Sequence, residues 1–239
     1  MNKQTLIATA ALAAAAFAPA AAQAGTVGGH LAQNPSVLPS SSDKQYFVPA
    51  GKVEHRVSIV TVSGTKALPS KERQELWLSA TRSRMVVTDL TTGKLRVEVV
   101  DRPGETRIYD RAKNRVTISR TKSKTPAYTS AAFESALYRA YVEQGVMKVT
   151  GEQIVDGRRM LNLESVAGKW KSSDPGSRGT AQVDADTFGV AQIASILDGG
   201  LFNQTVEHRL TETLDAGKAT SAKLAMAKHA KAAVTRKGN

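Results

Sequence analysis

Side chains that do chemistry in water are few in this chain, and their spacing is not that of a reaction centre. The four histidines stand at His30, His55, His208 and His229. None has a second ligand at helix or hairpin spacing, so no metal site is expected. His30 and His229 fall in stretches that read as disordered, and His55 reads as a sheet-surface residue. Asp184 and Asp186 have the spacing to flank a cation. They also stand where a strand enters a turn, a place aspartate takes for backbone reasons. There is no Gly-x-Ser-x-Gly elbow and no glycine loop that would cradle a phosphate. The chain has no cysteine, which excludes thiolate zinc and iron–sulfur sites. No catalytic residue, metal or cofactor is expected, and the protein reads as a non-enzyme. The arginines matter more. Arg82 and Arg84 flank Ser83, and Arg107 precedes Ile108, Tyr109 and Asp110. Either they pair across strands with Glu98 or Glu105, or one points inward and meets a polar headgroup.

The elements that must position these residues centre on the stretch from Arg73 to Arg120. Five short β-type runs follow one another there. Leu95, Val97 and Val99 alternate with Arg96 and Glu98, and Val116 and Ile118 alternate with Thr117 and Ser119. A period of two marks half-buried antiparallel strands. Thr92-Gly93, Pro103-Gly104 and Ala112-Lys113-Asn114 supply the turns. Trp77 sits between Leu76 and Leu78, either as plain core or with the leucines serving one face and Trp77 the other. Ahead of the meander, a strand from Val53 is apolar on both sides. Behind it, Ser130 to Gln144 changes period: Phe133, Ala136, Leu137, Ala140 and Tyr141 form one stripe of a helix, with Ser130 as N-cap and Gly145 as stop. Strands resume from Val146, turn at Asp156-Gly157, and continue after a Gly/Ser-rich excursion containing Trp170. They run through Val190 to Leu197 and close with Phe202 to Leu214. The count is ten or eleven strands with one inserted helix.

Residues 1–24 read as a signal peptide, with Lys3, an alanine-rich apolar run and Ala22-Gln23-Ala24 before the cut. Residues 25–52 form an irregular linker, 53–215 the β domain and 216–239 a basic Ala/Lys-rich tail, disordered or loosely helical. A lipoprotein needs a cysteine after its signal, and Gly25-Thr26 stands there instead. The expected product is soluble, not lipid-anchored, in the periplasm, cell envelope or extracellular space. The formal net charge of +12 is uneven. The tail holds six bases and no acid, while the body keeps 26 bases against 21 acids. Such an arm either solvates the protein or meets an anionic surface. For an exported protein that surface is a membrane or cell-wall polymer, and no nucleic-acid partner is expected.

A curled meander of this size has more oily surface than one helix can cover, since fifteen helical residues span about 22 Å. An open barrel would leave a cavity on the order of several hundred Å3, large enough for an acyl chain. Its expected lining is Leu76, Leu78, Met85, Val87, Leu95, Val97, Ile108, Val116, Ile118, Leu161, Leu163 and Ile193, with Phe133, Leu137 and Tyr141 turned inward from a lid. The competing arrangement is a filled sandwich with no cavity.

The run WLSATRSRMVVTDLTTGKLRVEVV from Trp77 to Val100, GETRIYD from Gly104 to Asp110, a helical insertion, and VDADTFGVAQI from Val183 to Ile193 together resemble the lipoprotein-carrier-like superfamily. That group includes the outer-membrane lipoprotein carrier, its receptor, mycobacterial-type lipid-binding lipoproteins and an envelope-stress regulator of a sigma factor. The resemblance spans roughly Val53 to Leu214. It implies mainly β structure with an inserted helix: a curled antiparallel meander forming an unclosed half-barrel capped by that helix. It implies an exported carrier or sensor of lipid or acylated protein, with Arg84 as a headgroup or lid contact. The alternative it carries is a regulatory interaction protein that engages a membrane-anchored regulator.

Overall fold

A computed structural model of the chain describes residues 39–40, 43–65, 67–123, 125–169, 178–197, 202–229 and 231–237. The signal segment, His30 and Trp170 lie outside the described residues. The strands are β1 (Lys52–Ser63), β2 (Ser70–Leu78), β3 (Ser83–Asp89), β4 (Leu95–Arg102), β5 (Glu105–Asp110), β6 (Arg115–Arg120), β7 (Met147–Val155), β8 (Arg158–Ser165), β9 (Arg178–Asp184), β10 (Val190–Leu197), β11 (Phe202–Asp215) and β12 (Ala233–Lys237). Helix α1 covers Ala131–Glu143 and a short α2 covers Lys218–Ala222. The fold class is the expected one: mainly β, an unclosed sheet with an inserted helix. Two features were not expected. Within the stretch read as tail, β12 adds a strand, and it runs parallel to β6. No helix among the described residues is long and apolar enough to cross a membrane.

The chain divides into two compact units. The first takes Met1–Tyr46, Ser63–Pro69 and Ala127–Asn203, and the second Phe47–Val62, Ser70–Pro126 and Gln204–Asn239. In the second unit the strand order is β12-β6-β5-β4-β3-β2-β1-β11. Its meander is stitched by tight turns whose chemistry is local. Asp89 accepts from the backbone N–H of Thr91 and Thr92 at 2.8 and 2.9 Å. Asn114 takes a left-handed φ of 44° after β5, a conformation its short amide side chain tolerates.

The first unit has the order β10-β9-β8-β7 with α1 packed on it. Ser130 caps α1, its Oγ accepting from the Phe133 N–H at 3.2 Å, and the same hydroxyl donates to the Tyr46 carbonyl. Gly145, at φ 65°, ends it. The β7–β8 hairpin turns at Asp156 and Gly157, both with positive φ, as an Asp-Gly pair is expected to do. Tyr138 and Tyr141 meet edge to face and pack with Val146, Met147, Leu163, Ala181 and Val183. Leu137, Leu161 and Ile193 close that cluster from its margin. Burial pushes both phenols up, Tyr141 to about 12. Leu163 is 1% exposed at the centre of this core. Leu163→Ala should therefore cost about 2–5 kcal/mol, measured by urea denaturation followed in near-UV circular dichroism.

Candidate functional site

In antiparallel pairs, directly opposed residues share a face. Leu76 is opposed to Arg56 and Met85, Met85 to Val99, and Val99 to Ile108. This side of the second unit is the leucine face. Trp77 is opposed to His55 and Arg84, and Glu98 to Val86 and Tyr109, which gives the tryptophan face. The division of Leu76 and Leu78 from Trp77 is the sharper of the two readings made from sequence.

The register splits the expected cavity lining. Leu76, Leu78, Met85, Val87, Val97 and Ile108 do lie together on the leucine face. Val116 and Ile118 oppose Tyr109 and Arg107 and so lie on the tryptophan face. Leu95 joins that side too, because an irregularity between Val87 and Thr88 sets it opposite Thr88. Alternation within one strand does not carry the phase of the next, so these three were placed on the wrong side. In the first unit, Leu161, Leu163, Ile193, Leu137 and Tyr141 meet in the packed core described above. Phe133 is buried and meets Tyr46 edge to face at 5.8 Å.

On the leucine face one apolar row crosses four strands: Leu76, Met85, Val99 and Ile108. Leu76 and Met85 are 2% and 3% exposed, whereas Ile108 is 38% exposed. Buried polar groups stand at the closed end. Arg56 donates to Glu54 at 2.6 Å. Ser58 Oγ and His208 Nδ1 are 2.8 Å apart. Gln74, 2% exposed, has no hydrogen-bond partner for its carboxamide, and Glu72 meets Arg96. Burial first, and then the Arg56 charge, lowers the His208 pKa to about 3, so this imidazole is neutral at physiological pH.

The tryptophan face is polar and aromatic. His55, expected on the sheet surface, is buried. It stacks on Trp77 with centroids 3.9 Å apart, and its ring nitrogens lie 2.8 Å from Glu212 and 3.2 Å from Glu75. Burial pushes the Glu75 carboxyl up, but the hydrogen bond and charge of Arg73, with Trp77 and His55, outweigh it and hold the pKa below the usual range. Arg84 binds Glu98 through Nε at 2.6 Å, and Arg107 binds Glu105 at 2.5 Å. The Arg84–Glu98 bond is the cross-strand pairing read from sequence, whereas Arg107 and Glu105 pair within β5.

Parts of the segment read as tail pack on this face. Leu224 is buried with Val53 and Trp77. Arg84 donates to the Lys223 carbonyl at 3.3 Å, and Ala227 N–H to Glu98 at 2.9 Å. His229 lies 2.6 Å from Glu98 and stacks on Tyr109 at 3.6 Å. Asn114 donates to the Lys231 carbonyl at 3.1 Å before β12 begins. The sequence reading missed this because alanine and lysine dominate the segment. Only Leu224 and His229 hinted at anchors.

On the first unit's other sheet face, Thr150, Asn162, Glu164, Thr180, Gln182 and Gln192 border an open depression of about 300 Å3 with a mixed polar and apolar lining. Asp184 acts as a turn residue. Its Oδ1 accepts from the N–H of Asp186 and Thr187, and the Thr187 bond leads in holding its pKa below the usual range. No group of three or more histidine, aspartate or glutamate side chains among the described residues is placed to hold a metal.

The depressed His208 pKa has a thermodynamic consequence. The unfolded imidazole takes a proton near pH 6.5 and the folded one does not until about pH 3. Stability from this residue is thus present above pH 6.5 and lost as pH falls through that window. Between pH 7 and pH 5 the loss should be about 2 kcal/mol. Denaturation curves at both values should show it, and a His208→Gln variant should show a correspondingly smaller drop.

No family model and no curated protein sequence matches the chain. Among solved structures, it is similar to an uncharacterized conserved protein from Thermus thermophilus at 12% identity and TM-score 0.47, covering 79% of this chain and 91% of that one. It is similar to a chain of the MucA/MucB complex of Pseudomonas aeruginosa at 15% identity and TM-score 0.42, covering 74% of this chain. That match spans 56% of the MucA/MucB chain, little more than half its length. A third similar structure is a LolA superfamily protein from Nitrosomonas europaea, at 7% identity and TM-score 0.32, covering 73% and 91%.

Proposed function

We propose that this protein is an exported, non-enzymatic binding protein for the acyl chains of lipids or acylated proteins, and that the leucine face of the second unit is its site. One observation carries this reading. The row Leu76, Met85, Val99, Ile108 is continuous across the register, buried at one end and open to solvent at the other. An acyl chain laid along it gains about 0.8 kcal/mol per methylene removed from water. Leu78, Val87 and Val97 flank the row. The lining is narrower than the one expected from sequence, because Leu95, Val116 and Ile118 serve the other face. Phe133, Leu137 and Tyr141 pack within the first unit, and this reading assigns them no part in the site.

Native mass spectrometry of protein purified from its own host should show a co-purifying acyl lipid. Ile108→Asp places a charge at the open end, where the fold tolerates it. It should weaken uptake of a fluorescent fatty acid by at least tenfold with an unchanged circular dichroism spectrum. Uptake equal to wild type would remove the leucine face from consideration.

A further inference from the structure

The tryptophan face carries a second site, independent of the acyl reading. The segment after β11 crosses it as a strap, and the contacts that hold the strap are few and directional. Among the described residues of 216–237, only Leu224 is buried. It fits against Val53 and Trp77. Three residues on, Ala227 N–H reaches Glu98, and two further on His229 reaches the same carboxylate. The strap then adds β12 to the free edge of β6 in parallel register, Ala233 opposite Arg115 through Lys237 opposite Ser119.

Glu98 is 1% exposed and receives Arg84 from the sheet and two groups from the strap. Tyr109 gets its stacking partner from the strap as well. Lifting the segment would therefore uncover a linear groove: an aliphatic pocket beside Trp77, a carboxylate beside an aromatic ring, and an unpaired strand edge. Such a groove reads an extended polypeptide, combining side-chain pockets with strand addition. A segment held by one buried apolar side chain, one stacked ring, a few polar bonds and a short edge strand is of the kind that opens without global unfolding.

We propose that this face is a docking groove for an extended basic protein segment of a partner, and that the chain's own C-terminal segment occupies it in cis as a competitor. The partner segment is defined by chemistry. It carries an aliphatic side chain for the Val53–Trp77 pocket and a hydrogen-bond-donating ring about five residues later for Glu98 and Tyr109. A short strand for β6 follows. A base beside the aliphatic side chain suits the Trp77 ring, over which Lys223 Nζ lies 5.8 Å from the centroid, and the tail that serves as the template has bases and no acids.

A protease site inserted between Asp215 and Ala216, both exposed, makes the test. The uncut chain, the nicked chain and a labelled synthetic peptide of residues 217–237 are compared by fluorescence anisotropy, with exchange followed to equilibrium. The nicked protein should take up the peptide, and the uncut protein should bind it at least tenfold more weakly. Peptides carrying Leu224→Asp or His229→Ala should each bind the nicked protein at least tenfold more weakly than the parent peptide; these variants leave the folded protein untouched. The proposal is overturned if the nicked protein does not capture the peptide, or if both variant peptides bind like the parent. Uncut protein that exchanges tails and forms dimers would assign the groove to a second copy of this chain and overturn the partner reading.

Discussion

The antiparallel register of β1 to β6 governs everything else in the second unit. Side chains alternate with a strict period of two, so a slip of one residue would exchange the faces wholesale. Leu76 and Met85 would then meet the strap, and Trp77, Arg84 and Glu98 would replace them. Ladder hydrogen bonds alone do not forbid such a slip. Directional pairs between neighbouring strands do, among them Arg84 with Glu98 at 2.6 Å and His55 stacked on Trp77. These polar pairs reinforce the register that the apolar pattern and the turns set.

Both faces bury polar groups, which is costly unless each finds a partner. The tryptophan face meets that requirement fully at Glu98, whose carboxylate is shared by an arginine, a histidine and a backbone N–H. The leucine face meets it at Arg56 with Glu54 and at Ser58 with His208. Gln74 is the exception, a buried carboxamide with no partner beside an otherwise apolar row. On the two proposals made above, an apolar chain would use one face and a polypeptide the other.

The turns and caps were the most legible features in the sequence. As turns or caps, Asp156-Gly157, Gly93, Gly104, Asn114 and Ser130 act through their own backbone or the next few residues, although Ser130 also reaches Tyr46 and Asn114 reaches Lys231. The helix Ala131–Glu143 and the five runs of the meander were legible for a related reason, because a 3.6 or 2.0 period is written along the element itself. The Arg84–Glu98 pairing was legible because opposite charges on neighbouring strands have few other partners within reach. Leu95, Val116 and Ile118 were misplaced because the phase between strands passes through turns and an irregularity that composition does not encode.

By itself, then, the sequence determined the local alphabet of this protein: strands, turns, one capped helix, and the absence of thiolate chemistry. Only the tertiary structure decided which side chains share a face, that His55 is buried between two carboxylates, and that a segment rich in alanine and lysine is strapped across Trp77 and Tyr109. The physical reason is one of range. Dihedral preference and capping act over a few residues, whereas Glu98 meets His229 across 131 positions of chain, a meeting that only the folded path of the backbone arranges.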